Sequence, residues 1–146
     1  MFLPTHLAAG LLVGKLTGNY PAALAGAVFI DIDHLISYAK SGILWHPKKI
    51  FAAITDTRDP WENQRNILHT IHFWILISAI FWYFFPDIAP AFSLGYLSHL
   101  VLDGMDSADF RPFYPNKKIN IRGPIPYYSL PELALALIFL IIFFAL

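Results

Sequence analysis

The chain has 146 residues, of which 57% are hydrophobic and 14% charged, and its formal net charge is zero. The apolar share exceeds the roughly 45–50% usual for soluble domains, which favours an all-α fold, an integral membrane helical bundle formed by residues 1–146 as one domain. A neutral chain without a strongly basic region argues against direct nucleic-acid binding. The chain has no cysteine, which excludes disulfides, thiol nucleophiles and cysteine-ligated zinc.

Proline, glycine and polar residues divide the chain into five apolar segments. The predicted helices cover about residues 5–17, 21–39, 66–85, 90–104 and 130–146. The second and third would be about 28–30 Å long, enough to cross a hydrocarbon core of about 30 Å. The other three reach only roughly 20–25 Å. They would be partial spans inside a bundle of four to five segments, or the protein would be monotopic.

Positive charges predict the orientation in the membrane. Nine of the ten Lys and Arg residues lie in two loops, about 40–66 and 105–129, and the exception is Lys15. The positive-inside bias makes both loops cytoplasmic, so we expect an inner-membrane protein with a cytoplasmic N-terminus. No basic residues precede the first segment, which is therefore interpreted as a retained helix rather than a cleaved signal.

The two cytoplasmic loops differ in character. In the first, residues 50–54 are apolar and follow Lys48 and Lys49. They predict a short amphipathic helix on the lipid headgroups or, equally, a packed loop helix. The second loop is rich in proline, glycine and tyrosine, and we expect irregular structure there that covers the mouth of a site.

Polar side chains from four segments reach one depth, near the cytoplasmic ends of the predicted helices. Imidazoles and carboxylates within membrane segments are costly, so their convergence indicates a functional site. The pair His69 and His72, and the pair His99 and Asp103, are spaced to share a helix face. Eight residues are candidate metal ligands: His6, Asp31, Asp33, His34, His69, His72, His99 and Asp103.

Mixed histidine and aspartate ligation suits a divalent metal, with zinc preferred and manganese or iron as alternatives. Eight donor residues are more than the four ligands that one tetrahedral ion binds. Either two ions bind, or one ion binds and some residues orient its ligands through hydrogen bonds. A metal-activated water, with a spare carboxylate such as Asp31 as general base, would make the protein a hydrolase. Ser98 beside His99 lacks the context of a nucleophile elbow.

Simpler interpretations exist for several of these residues. Each single histidine could be structural, and Asp103 could pair with Arg111. Asp31 and Asp33 could pair with loop lysines, although acids are disfavoured at a helix C-terminus. Three other residues are interpreted as surface or loop charges, with metal contact as the alternative for the last two: His46, Asp106 and Asp109.

Short blocks along the chain resemble a known family. They are Thr5-His6, the run from Asp31 to His34, and Ser98-His99-Leu-Val-Leu-Asp103. These resemble the small, membrane-bound, metal-dependent hydrolases of the inner membrane, of which one bacterial member is described as LexA-binding. That family has Thr-His, Pro-Asp-x-Asp-His, His-Arg-x-x-Thr-His-Ser and Ser-His-Leu-x-x-Asp blocks. The third block aligns with the run from Gln64 to Thr70.

The alignment also shows departures from the family pattern. Ile30 replaces the proline of the second block, Gln64 the leading histidine of the third, Leu68 its threonine and Thr70 its serine. His72 is an addition one turn later, which could substitute for the lost histidine. The resemblance implies metal-dependent hydrolysis at seven matching positions: His6, Asp31, Asp33, His34, His69, His99 and Asp103.

Three functions follow as hypotheses. The first is a metal-dependent hydrolase whose activated water attacks a phosphoester in a membrane-associated substrate, such as a lipid headgroup, at the cytoplasmic face. Basic loop residues could attract its phosphate: Lys48, Lys49, Lys117, Lys118 and Arg122. The second is a non-catalytic membrane protein with a structural or proton-relay metal site, and the third a module whose loops recruit a partner. Membrane lipid is the expected partner in each case, and the sequence leaves the oligomeric state open.

Overall fold

The computed structural model describes residues 1–55, 65 and 67–146, and its regular structure there is helical, as predicted. The helices are α1 Leu3–Thr17, α2 Tyr20–Phe29, α3 Ile32–Lys40, α4 Pro47–Thr55, α5 Ile71–Phe84, α6 Ala89–Met105 and α7 Leu130–Ala145. A 3₁₀ turn, Ile67–His69, precedes α5. Within these residues, Tyr20–Lys40 is the only helical stretch long and apolar enough to cross a membrane. The two other apolar helices, α5 and α7, are shorter.

The predicted helix 21–39 is interrupted at one turn, which gives α2 and α3. The amides of Asp31, Asp33 and His34 each bond the carbonyl three residues earlier, at 3.0 Å. Such tightened turns often mark functional positions. Asp31 lies directly before α3 and Asp33 in its first turn. The expectation that these acids occupy a helix C-terminus is therefore wrong, since they lie at an N-terminus, where acids are favoured.

The helix predicted over 66–85 begins later, at Ile71, because Thr70 caps it. The Thr70 hydroxyl accepts a hydrogen bond from the amide of Phe73, at 3.2 Å. His69 consequently lies in the 3₁₀ turn, and its predicted sharing of a helix face with His72 is wrong. The remaining apolar helices, α1, α6 and α7, agree with the prediction to within two residues at each end.

Helices α2 and α6 pack backbone against backbone at the centre of the molecule. A Cβ atom on Gly26 would overlap the Phe92 carbonyl, and one on Gly95 would overlap the Ala23 carbonyl. Small residues at helix crossings permit this approach in membrane proteins. The close packing sets the position of the last two turns of α6 relative to the end of α2.

The chain after α6 folds back over the end of that helix. Residues 106–129 have irregular structure, as predicted, apart from isolated bridges of Asp106 with Ile125 and of Phe110 with Ile121. The Pro112 carbonyl accepts a hydrogen bond from the amide of Ile71 at the start of α5, at 2.9 Å. The loop thereby links the ends of α5 and α6, where the candidate ligands lie.

Candidate metal centre

Four elements bring imidazoles and carboxylates into one cluster. The Nε2 atoms of His69 and His99 lie 3.5 and 3.4 Å from Oδ2 of Asp103. The same two nitrogens lie 4.0 and 3.6 Å from Oδ1 of Asp31. His6, from the first turns of α1, completes the cluster, with Nε2 3.4 Å from Oδ1 of Asp103. The convergence predicted from topology is present in the structure.

Hydrogen bonds at Nδ1 determine the tautomers of the two central histidines. Nδ1 of His99 lies 2.6 Å from the Ala27 carbonyl oxygen, and Nδ1 of His69 lies 3.2 Å from Oδ2 of Asp33. Because these oxygens can only accept, each Nδ1 carries the proton and each Nε2 offers a lone pair. Both Nε2 atoms are buried and have no hydrogen-bond partner among the residues described. An imidazole oriented in this way is the usual metal ligand.

The separations within the cluster fit a small divalent cation. Ligand bonds of about 2.0–2.1 Å in tetrahedral geometry place donor atoms roughly 3.3–3.4 Å apart. The distances from His69 and His99 to Asp103 are 3.5 and 3.4 Å. Burial lowers the pKa of His69 well below its ordinary value, so this imidazole is neutral and able to bind a metal.

Two groups of three donors could each hold an ion, and they share His99. The groups are His6, His99 and Asp103, and Asp31, His69 and His99, with all ligand atoms of a group within 4.8 Å of one another. Nδ1 of His99 donates to the Ala27 carbonyl, so this residue has one nitrogen for one ion. His99 therefore cannot bridge two ions, and the arrangement suits a single ion in the centre of the cluster.

The cluster is accessible on the side of α3. The side chains of Asp31 and His34 are 25% and 26% exposed, and Nε2 of His34 lies 3.3 Å from Oδ1 of Asp31. His69, His99 and Asp103 are buried. We call this partly exposed edge of the cluster, formed by Asp31 and His34, the mouth of the site.

Three candidate residues have other positions: Asp33 orients His69, His6 stacks on His99, and His72 lies outside the cluster. Asp33 accepts hydrogen bonds from the Leu68 amide, at 2.8 Å, and from His69. The ring of His6 stacks on that of His99 with centroids 3.6 Å apart, and its buried Nδ1 has no partner within the described part of the chain. His72 is exposed and lies against Phe113, outside the cluster. The structure thus brings together seven of the eight predicted ligands.

Sequence reasoning missed the charges behind Asp103. Nε of Arg65 lies 3.0 Å from Oδ2 of Asp103, and its Nη2 lies 2.7 Å from Oδ2 of the buried Asp106. The Met1 amino group also contacts both carboxylates, at 2.5 and 2.9 Å. Burial alone would raise the pKa of Asp106, but the amino group and Arg65 lower it below its ordinary value.

Arg111, the alternative partner predicted for Asp103, pairs with Asp109 instead. Arg111 lies 2.8 Å from a carboxylate oxygen of Asp109, and Arg122 contacts the other oxygen of the same carboxylate at 2.5 Å. The arginine of the third sequence block, Arg65, was the available signal for the true partner of Asp103.

Comparison with known proteins identifies the family. The family model that describes a YdjM inner membrane protein matches residues 1–146. No curated protein and no solved structure is significantly similar to the chain. The match confirms the inner-membrane family that the composition and sequence blocks predicted, while hydrolysis and LexA binding stay predictions. The chain belongs to the YdjM inner membrane protein family.

Proposed function

We propose that the protein is a membrane-bound, metal-dependent hydrolase whose centre holds one divalent cation. His69, His99 and Asp103 are the principal ligands, and His6 could add a fourth through Nδ1, because its Nε2 lies 3.2 Å from the Met1 carbonyl oxygen, which only accepts. The proposal rests on the two buried, unpartnered Nε2 atoms that face Asp103. Zinc suits this ligand set best, with manganese or iron as alternatives.

Asp31 is the proposed general base. A bound divalent ion would lower the pKa of a water molecule toward about 7 and stabilise negative charge. Asp31 lies at the mouth, and among the described residues no Lys or Arg lies within 4.0 Å of its carboxylate. It takes a proton from the attacking water as the water oxygen bonds to phosphorus. The P–O bond to the leaving alcohol breaks, and the alcohol takes up that proton.

A phosphoester at the cytoplasmic face of the membrane is the proposed substrate class. Asp31 and His34 of the centre lie within the apolar stretch Tyr20–Lys40, Asp31 near its middle, and both are partly exposed. Basic side chains on the two loops are exposed and could attract phosphate: Lys48, Lys49, Lys117, Lys118 and Arg122. A membrane-associated phosphoester would meet both features.

Metal analysis of detergent-purified protein tests the centre. We expect about one ion per chain in the wild type and its loss in His99→Ala, because the variant removes the central ligand. His72→Ala is the matched control, since His72 is exposed outside the cluster, and it should retain the metal. Equal metal content in all three proteins would exclude the proposed ligands.

Hydrolysis assays test the proposed chemistry. The metal-loaded wild type should hydrolyse a phosphodiester or phospholipid in a screen with zinc and manganese. Asp31→Asn should keep its metal and lose roughly 10²–10⁴-fold in rate, the usual contribution of a general base. Full activity in Asp31→Asn would show that Asp31 is not the general base.

One observation favours a non-catalytic alternative. The Asp103 carboxylate already pairs with Arg65, and the cluster is buried apart from its mouth. A structural or proton-relay metal site would have these properties. Stoichiometric metal with no exchangeable water ligand, measured by water-proton relaxation of manganese-loaded protein, together with no turnover, would support this alternative.

A further inference from the structure

Helices α3 and α4 present an apolar and basic surface beside the mouth. We define the α3–α4 surface by its exposed residues: Ile32, Leu35, Ile36, Trp45, Lys48, Lys49 and Phe51. Trp45 is 87% exposed, Phe51 66% and Leu35 52%. Large apolar side chains grouped in this way are uncommon on a surface in water and mark an interaction site.

The orientation of α4 against α3 is set by a small core. Tyr38 on α3, Ile43 in the connection and Ala53 on α4 are buried together. With Ala53 turned inward, Lys48 and Phe51 lie three residues apart on the exposed side of α4. A helix is therefore present in this loop, as both alternatives predicted, and its outer face combines an aromatic ring with positive charge.

The surface is continuous both with the mouth and with the membrane segment. Leu35 follows Asp31 by four residues, so the two lie on one face of the chain at the start of α3. The apolar stretch that could cross a membrane ends at Lys40, which is exposed. A bilayer around this stretch would therefore end close to α4, while Asp31, roughly 13 Å of helix before Lys40, would lie deeper in it.

We propose that the part of the α3–α4 surface that follows Lys40 lies in the headgroup region of a bilayer that contains anionic lipid, with the apolar α3 residues deeper in the same bilayer. Trp45 and Phe51 enter the interface, where aromatic residues are enriched, while Lys48 and Lys49 contact lipid phosphates. A second copy of the chain fits less well, because a twofold contact through this surface would bring like charges together. The mouth then opens within the bilayer, below α4, where a lipid phosphoester has better access than a soluble one. This last step rests on the proposed hydrolase function.

A single cysteine tests the location of α4, since the chain has none of its own. Ala52→Cys, exposed on α4, is spin-labelled and reconstituted in nanodiscs of phosphatidylcholine with or without phosphatidylglycerol. With the anionic lipid, we expect several-fold lower accessibility to an aqueous nickel chelate than in detergent, with oxygen accessibility retained. The matched label is Asn116→Cys, exposed on the other loop, which should remain accessible to the chelate.

Charge reversal tests the role of the lysines. Lys48→Glu with Lys49→Glu should return the Ala52→Cys label to full chelate accessibility, whereas Lys117→Glu with Lys118→Glu should leave it protected. A label equally accessible in detergent and in both nanodiscs would overturn the proposal. Protection that appears only when several chains share a disc would identify a second copy as the occupant and also overturn it.

Activity separates this inference from the proposed function. In the Lys48→Glu, Lys49→Glu variant, we expect unchanged metal content, and any loss of activity on a soluble phosphodiester should be smaller than the loss on a phospholipid. Hydrolysis of a phospholipid should fall several-fold. An equal loss on both substrates would refute lipid selection by this surface. Wild-type protein that binds metal but hydrolyses neither substrate would refute the hydrolase function, while the spin-label result would still decide the membrane contact.

Discussion

At the scale of single residues, the partner of each Nδ1 atom decides what the opposite nitrogen of a histidine can do. Asp33 and the Ala27 carbonyl accept these protons from His69 and His99, so both Nε2 lone pairs are directed at Asp103. His72 has the same chemistry but no such arrangement, and it lies outside the cluster. Whether a histidine here can bind a metal through Nε2 therefore depends on the hydrogen bond that its Nδ1 makes.

Removal of that second hydrogen bond should weaken the centre without removing a ligand. We expect Asp33→Ala to lower metal affinity about 10–100-fold, because His69 loses the acceptor that determines its tautomer. Competition with a chromophoric chelator measures the affinity. Ser41→Ala, at the exposed end of α3, is the control, and equal affinities in the two variants would contradict the assigned role of Asp33.

Asp109 gives a prediction for pH, because its charge is stabilised in the folded loop. Burial alone would raise its pKa, but hydrogen bonds from Asn120 and Arg122 lower it. A folded-state pKa below the unfolded value of about 3.9 adds stability above that pH, and this stability is lost as the pH falls through the folded-state pKa. Asp109→Asn should therefore lower the melting temperature near neutral pH, and its difference from wild type should shrink near about pH 3.

The effect should be small and sensitive to salt. The Asp109 side chain is 25% exposed, so we expect less than about 1 kcal/mol from these pairs. Thermal unfolding in detergent at several pH values measures it. Asp87→Asn, an exposed aspartate in the link between α5 and α6, serves as the control. A difference between Asp109→Asn and wild type that grows toward acid pH would show the sign to be wrong.

At the scale of helices, the crossing of α2 and α6 positions His99, the central candidate ligand. Gly26 and Gly95 let the two backbones touch, and one turn further along α6 His99 reaches the Ala27 carbonyl. Without this approach, the hydrogen bond that orients His99 could not form. The glycines therefore act on the metal centre through the distance between the helices.

Gly26→Ala should separate the two helices. The new Cβ would overlap the Phe92 carbonyl, and overpacking of this kind costs about 1–3 kcal/mol. We expect a lower melting temperature together with weaker metal binding. Gly104→Ala in α6 is the matched control, because its Cβ would lie 3.6 Å from the nearest Phe110 atoms. Normal metal affinity in Gly26→Ala would show that the centre tolerates the displacement.

At the scale of the whole molecule, basic residues and the metal centre are expected on one side of the membrane. Both basic loops and the starts of α1, α5 and α7 would lie at the cytoplasmic face if successive segments alternate in direction. The family match supports an inner-membrane location, while the orientation and the number of spans stay predictions.

Labelling of single cysteines tests the orientation. In intact spheroplasts, a membrane-impermeant maleimide should label Asp87→Cys and not Lys117→Cys, because the first is expected outside and the second in the cytoplasm. Both positions are exposed, so disrupted membranes should allow both to react. The reverse pattern in intact spheroplasts would invert the topology and place the centre on the outer side.

Helical periodicity, proline positions and the cost of polar groups in apolar segments are readable in the sequence alone. They determine most of the helices and the residue types of the candidate site. These local rules predicted α1, α6 and α7, and they predicted that seven candidate ligands lie at a similar depth in the membrane. Only the tertiary structure decided the turn between α2 and α3, the cap that separates His69 from α5, and the pairing of Arg65 with Asp103 and Asp106. The turn and the cap are local hydrogen bonds that interrupt a continuous apolar pattern, and the ion pairs of Arg65 join residues distant in sequence. Neither kind of contact leaves a periodic trace along the chain.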